Sequence, residues 1–114
     1  MEYNPDKYIT KLGAELKWVY VDLDDTLAKA VWKTSKGIGE PIPENIIKLK
    51  TLYKKGKKIF IFTSRPWHDY EAIERWLEDH ELRQYIKGII CGKPIGHRYI
   101  DDRAIVADSE DWTI

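Results

Sequence analysis

The side chains best able to do chemistry in this 114-residue chain fall into four short groups. They are Asp22 and Asp24 beside Asp25 and Thr26; Thr63, Ser64 and Arg65; Lys93; and Asp101 with Asp102. Each acidic pair follows an apolar run. If Asp22, Asp24, Asp101 and Asp102 came within a few ångströms of one another, they would stay ionised only around a cation, and an all-oxygen donor set favours magnesium. A magnesium so held can take a phosphate oxygen and neutralise its charge. A hydroxyl and a lysine suit the remaining phosphate oxygens. An aspartate can accept the phosphoryl group itself. The residue types therefore match phosphoryl transfer to a carboxylate.

Such a set needs a scaffold that brings distant segments to one edge. Trp18–Val21 and Ile59–Phe62 are continuous runs of β-forming residues, the pattern of central strands covered on both faces. Gly88–Cys91 is a weaker third run, Arg98–Ile100 a short fourth and Ile105–Ala107 a fifth. A helix is expected over Pro43–Lys55, with proline in its first turn and Gly56 at its stop, burying Ile46, Ile47, Leu49, Leu52 and Tyr53. A second is expected over His68–His80, with Ala72, Ile73, Trp76 and Leu77 inward. The alternation predicts an α/β fold with a mainly parallel sheet. In such sheets ligands bind at the C-terminal strand ends. Each group of interest sits at one of those ends. Residues 28–40, with Lys29, Trp32, Lys33, Lys36 and two glycines, read as a β-hairpin or flap.

Composition narrows the class. Charged residues make up 33% of the chain and aromatics 12%, which argues for an ordered single domain over residues 1–114. Lysine and arginine (19) balance aspartate and glutamate (19), so net charge makes no case for a dedicated nucleic-acid binder, although a local basic patch is compatible. The single cysteine, Cys91, cannot form an internal disulfide, and no apolar run is long enough for a signal peptide or a membrane span. A cytoplasmic protein is the expectation. His68, His80 and His97 are not spaced as a zinc site.

The four groups, in this order, resemble the motifs of the haloacid dehalogenase superfamily of phosphohydrolases. The first motif corresponds to Val19-Tyr20-Val21-Asp22-Leu23-Asp24-Asp25-Thr26, the second to Ile59–Thr63, the third to Lys93-Pro94 and the fourth to Tyr99-Ile100-Asp101-Asp102. Thr63-Ser64-Arg65-Pro66 and Tyr99–Ile105 also resemble a subgroup of small hydrolases of that superfamily. The resemblance spans residues 17–106. It implies a three-layer Rossmann-like fold and a magnesium-dependent phosphatase that works through an aspartyl phosphate. Asp22 would be nucleophile and metal ligand. Asp24 would be acid and base, its backbone carbonyl also on the metal. Thr63 would hydrogen-bond the phosphoryl group, with Ser64 and, at the rim, Arg65 as further substrate-binding residues. Lys93 would offset charge, and Asp101 and Asp102 would hold magnesium. Two departures stand out. The chain is short for this superfamily, and only residues 94–100 separate Lys93 from Asp101, which makes Lys87 the reserve lysine.

Residues 27–62 and 64–92 must supply the flap, helices and strands, which leaves no room for a cap domain. An open site follows. It would admit a bulky phosphorylated substrate such as a nucleic-acid end, or be covered by a neighbouring subunit in a homo-oligomer. Nucleotides and sugar phosphates are further substrate classes. Trp32 and Trp67 at the rim could stack a base, though packing of the flap against the body is the simpler role. The rival to an enzyme is a non-catalytic module of the same fold that binds a metal or a phosphorylated ligand. Intact Asp22 and Asp24 count against it.

Overall fold

The computed structural model describes residues 5–31, 37–110 and 112; Trp32, Lys33 and Lys36 of the expected flap lie outside them. The chain runs α1 (Pro5–Leu16), β1 (Trp18–Val21), α2 (Pro43–Lys54), β2 (Lys58–Phe62), α3 (Tyr70–Asp79) and β3 (Ile86–Ile90), with 3-10 turns at Trp67–Asp69 and Arg83–Tyr85. The strands form one parallel sheet in the order β1-β2-β3.

Helix α2 forms as its sequence asks. Pro43 occupies the first turn, where its missing N–H leaves no bond unmade, and Glu44 and Lys54 oppose the helix dipole at either end. It buries Leu49 and Leu52, whereas Ile47 and Tyr53, expected inside, face solvent. Helix α3 buries Ile73, Trp76 and Leu77, and Ala72 is exposed. Ile59 and Ile61 of β2 point into the same cluster, at 1% and 0% exposure.

Leu49 and Leu52 of α2 and Ile73, Trp76 and Leu77 of α3 share one core cluster with Ile59 and Ile61, which puts both helices on one face of the sheet. The opposite face carries Trp18, Tyr20, Phe60 and Phe62. Their rings meet one another, with Tyr20 stacked on Phe60 at 5.3 Å and Trp18 edge-on to Phe60 at 5.5 Å. Trp18 and Tyr20 are exposed. Among the described residues the expected third layer is therefore missing. Helix α1, which the sequence reading left out, does not supply it, since its apolar Tyr8, Ile9, Leu12 and Leu16 are exposed.

Among the described residues the expected flap is closed at its base. Ala28 bridges Pro41 in antiparallel fashion, and Lys29 N–H donates to the Glu40 carbonyl at 2.9 Å. Gly39 is needed there, because a Cβ would lie 1.9 Å from the Lys29 carbonyl oxygen. The indole of Trp76 donates to the Gly39 carbonyl and ties this base to α3.

The fourth and fifth strands do not form: Arg98–Ile100 and Ile105–Ala107 are irregular. Ile100 is fully exposed and Val106 is 71% exposed. Three-residue runs bury too little to hold an edge. The Asp101 carboxylate also accepts the Arg103 backbone N–H at 2.9 Å, a local bond that competes with strand pairing. The tail is pinned further on instead, where buried Trp112 donates its indole N–H to Ala107 and Lys48 of α2 donates to the Ser109 carbonyl. No helix among the described residues is long and apolar enough to cross a membrane.

Candidate active site

The loop after β1 is shaped by its own backbone. The Leu23 carbonyl accepts N–H groups from Thr26, Leu27 and Ala28, while fully buried Leu23 and Leu27 anchor the turn in the core. From α2, Asn45 donates its side-chain amide to the Thr26 carbonyl at 2.8 Å and fixes the loop from below. Asp25 takes a left-handed conformation (φ 60), and its carboxylate accepts the Ala30 N–H at 3.1 Å. Asp25 is thus a loop-building residue beside the site.

This turn leaves Asp22 half-buried at the strand end, its carboxylate accepting the Leu23 N–H at 2.8 Å. Burial raises the Asp22 pKa above the usual carboxylate range. The Leu23 N–H and the Lys93 charge pull it back, while Asp24 and Asp25 push it further up. An acid so placed is costly to ionise, and once ionised it is poorly solvated, which suits a nucleophile.

Thr63 and Lys93 are joined through the backbone. Thr63 N–H donates to Ile90, Lys93 N–H donates to the Thr63 carbonyl, and Gly92 N–H donates to the Arg65 carbonyl. Gly92 has φ +79, which glycine adopts freely. These bonds hold the loops after β2 and β3 side by side and bring Lys93, not Lys87, within electrostatic reach of Asp22, whose pKa the Lys93 charge lowers, while Lys87 stands exposed within β3. The Lys93 ammonium also lies 4.5 Å from the Tyr99 ring centre and 5.5 Å from that of Phe62. The Thr63 side chain is 1% exposed, and its hydroxyl oxygen accepts the Arg65 N–H at 3.1 Å. In this arrangement it organises the loop, with half-buried Ser64 next to it.

Arg65 departs most from the sequence reading. It holds Asp24 in a two-pronged pair, Nε to Oδ2 at 2.8 Å and Nη2 to Oδ1 at 2.9 Å. Nη2 also donates to the Gly37 carbonyl at 3.2 Å, and Nη1 makes a longer contact with Asp69 at 3.5 Å. The bonded Asp24 carboxylate raises the Arg65 pKa still further. Asp69 and Asn45 were missed from sequence. The spacing of Arg65 and Asp69, one helical turn apart, was the available signal for the first.

The expected magnesium set is not assembled. Among the described residues no three His, Cys, Asp or Glu side chains come together to hold a metal. Asp101 and Asp102 are exposed, bonded to Arg103 N–H and paired with the Arg103 side chain respectively. Arg65 takes the Asp24 carboxylate and not its backbone carbonyl, the donor expected on the metal, so the loop after β1 offers magnesium the Asp22 carboxylate and that carbonyl, with water and phosphate oxygens to complete its shell. A surface depression lined by Glu78, Glu81, Arg83 and Gln84 lies apart from these residues.

Fold and site define an α/β protein with a parallel sheet and an acidic, lysine-flanked strand-end loop. No family model, no curated protein and no solved structure matches the chain.

Proposed function

We propose that this chain is a phosphohydrolase that cleaves phosphate monoesters through an aspartyl phosphate on Asp22. One observation carries the reading: a half-buried carboxylate at the end of a parallel strand, under the charge of Lys93, with a second carboxylate two residues on. The likeness of the four motifs to the haloacid dehalogenase superfamily supports it.

In this reading Asp22 attacks phosphorus as the ester P–O bond breaks, and the departing oxygen takes a proton from the Asp24 carboxyl group. Water then gives a proton to Asp24 while its oxygen attacks the same phosphorus. The bond to Asp22 breaks, inorganic phosphate leaves, and both side chains return to their starting states. Lys93 offsets charge on Asp22 and on the phosphoryl group. Magnesium, when bound, neutralises phosphoryl oxygens; the motif likeness assigns it to Asp22, Asp24, Asp101 and Asp102. We assign the chain to the cytoplasm, where buried Cys91 would stay a thiol.

Phosphate release from nucleotides, sugar phosphates and end-phosphorylated oligonucleotides tests the proposal, with magnesium and with chelator. Wild type should release phosphate only with magnesium, and Asp22→Asn should lower the rate by at least ~10³-fold. Release that survives in Asp22→Asn would sink the mechanism. A second reading, a non-catalytic module for a phosphorylated ligand, is favoured by the engagement of both Asp24 oxygens with Arg65. Absence of turnover on every substrate by folded, phosphate-binding wild type would select it.

A further inference from the structure

Arg65 has five N–H donors, and four of them are committed inside the protein: two on Asp24, one on the Gly37 carbonyl and one on Asp69. Its side chain is only 18% exposed. As drawn, it has a single donor left for a ligand. Asp24, for its part, accepts one guanidinium N–H on each carboxylate oxygen, so to serve a leaving group or a water it must turn from Arg65 or share its oxygens with it. The expected acid and base and an expected substrate-binding residue are thus engaged with each other.

We propose that the Arg65–Asp24 pair is a self-inhibiting contact which the phosphoryl group of the substrate opens. A tetrahedral dianion presents the same pair of oxygens to a guanidinium as a carboxylate does, with more charge. When it enters beside Asp22 and Lys93 it takes the Arg65 fork, and Asp24 is released to face the ester oxygen. Asp69 gives Arg65 a partner in both states, so the guanidinium stays at the site during the exchange. The acid and base is thereby armed only when a phosphoryl group is present. The inference rests on the phosphoryl-binding reading of the site and adds its regulation.

Binding of inorganic phosphate, measured by calorimetry in magnesium buffer, tests this without turnover. Asp24 is then a competitor for Arg65. Asp24→Asn, a weaker competitor, should tighten phosphate binding about tenfold when Arg65 is present, and by about twofold or less in the Arg65→Gln background. Arg65→Lys keeps the charge without the fork, and there the gain from Asp24→Asn should fall between these two. The Arg65→Lys series also stands if Arg65→Gln does not fold. An equal gain in all backgrounds would mean plain charge repulsion between Asp24 and phosphate, overturning the exchange while leaving a phosphoryl site. Failure of every variant and of wild type to bind phosphate would overturn both.

Discussion

Val21-Asp22 and Ile100-Asp101 are the same device in sequence, an apolar run that ends in an aspartate, and they adopt two different states. Val21 is buried and pairs with Ile61 across the sheet, and Asp22 is half-buried behind it. Ile100 is fully exposed, and Asp101 bonds to its own backbone two residues on. The difference lies in the partners. Trp18–Val21 meets Lys58–Ile61 residue for residue, whereas Arg98–Ile100 pairs with no strand among the described residues. An apolar run becomes a strand where a neighbour accepts its hydrogen bonds and a helix covers its face.

Stability should divide along the same line. Ile61→Ala opens a hole in a fully buried position and should cost about 2–5 kcal/mol in chemical denaturation. Ile100→Ala removes no buried area and should leave the midpoint unmoved. A loss from Ile100→Ala comparable to that from Ile61→Ala would show that the Arg98–Ile100 run packs on the body in solution and would break the comparison.

Magnesium sharpens it from the side of function. If the tail aspartates serve the ion as the motif likeness holds, Asp101→Asn and Asp102→Asn should each raise the magnesium concentration for half-maximal phosphate release by about tenfold or more, with no change in the denaturation midpoint. Such a split would mean that Asp101 and Asp102 contribute to chemistry and not to folding. An unaltered magnesium response in both variants would remove Asp101 and Asp102 from the site.

Much of the positioning was legible because it rests on long signals. Runs such as Ile59–Phe62, the proline of α2 and the apolar spacing of α3 each involve enough residues to outweigh local competition. The strand ends then follow, and with them the places of Asp22, Thr63 and Lys93. The uncovered aromatic face was not legible, since Trp18–Val21 reads the same whether one face or two is packed. Nor was the engagement of Asp24 by Arg65. That pair joins two loops separated by a helix and a strand, and nothing in either loop distinguishes an arginine aimed at substrate from one aimed at a neighbour.

The smallest effects concern Asp22 and give the finest test of the body as the working half. Burial raises its pKa in the folded chain above the unfolded value, so the folded state holds that proton more tightly. The favourable contribution is then fully present below the unfolded pKa of 3.8 and is lost as pH rises through the folded value. Asp22→Asn, which cannot ionise, should therefore be more stable than wild type at neutral pH, and the gain should vanish as pH falls to the carboxylate range. Thermal unfolding at a series of pH values reads this directly. The same burial should set the acid limb of phosphate release, which needs ionised Asp22. Lys93→Met removes a charge that lowers the Asp22 pKa, so it should move that limb to higher pH, whereas Lys87→Met should leave it in place. A limb that moves with Lys87 and not with Lys93 would reverse the choice of lysine.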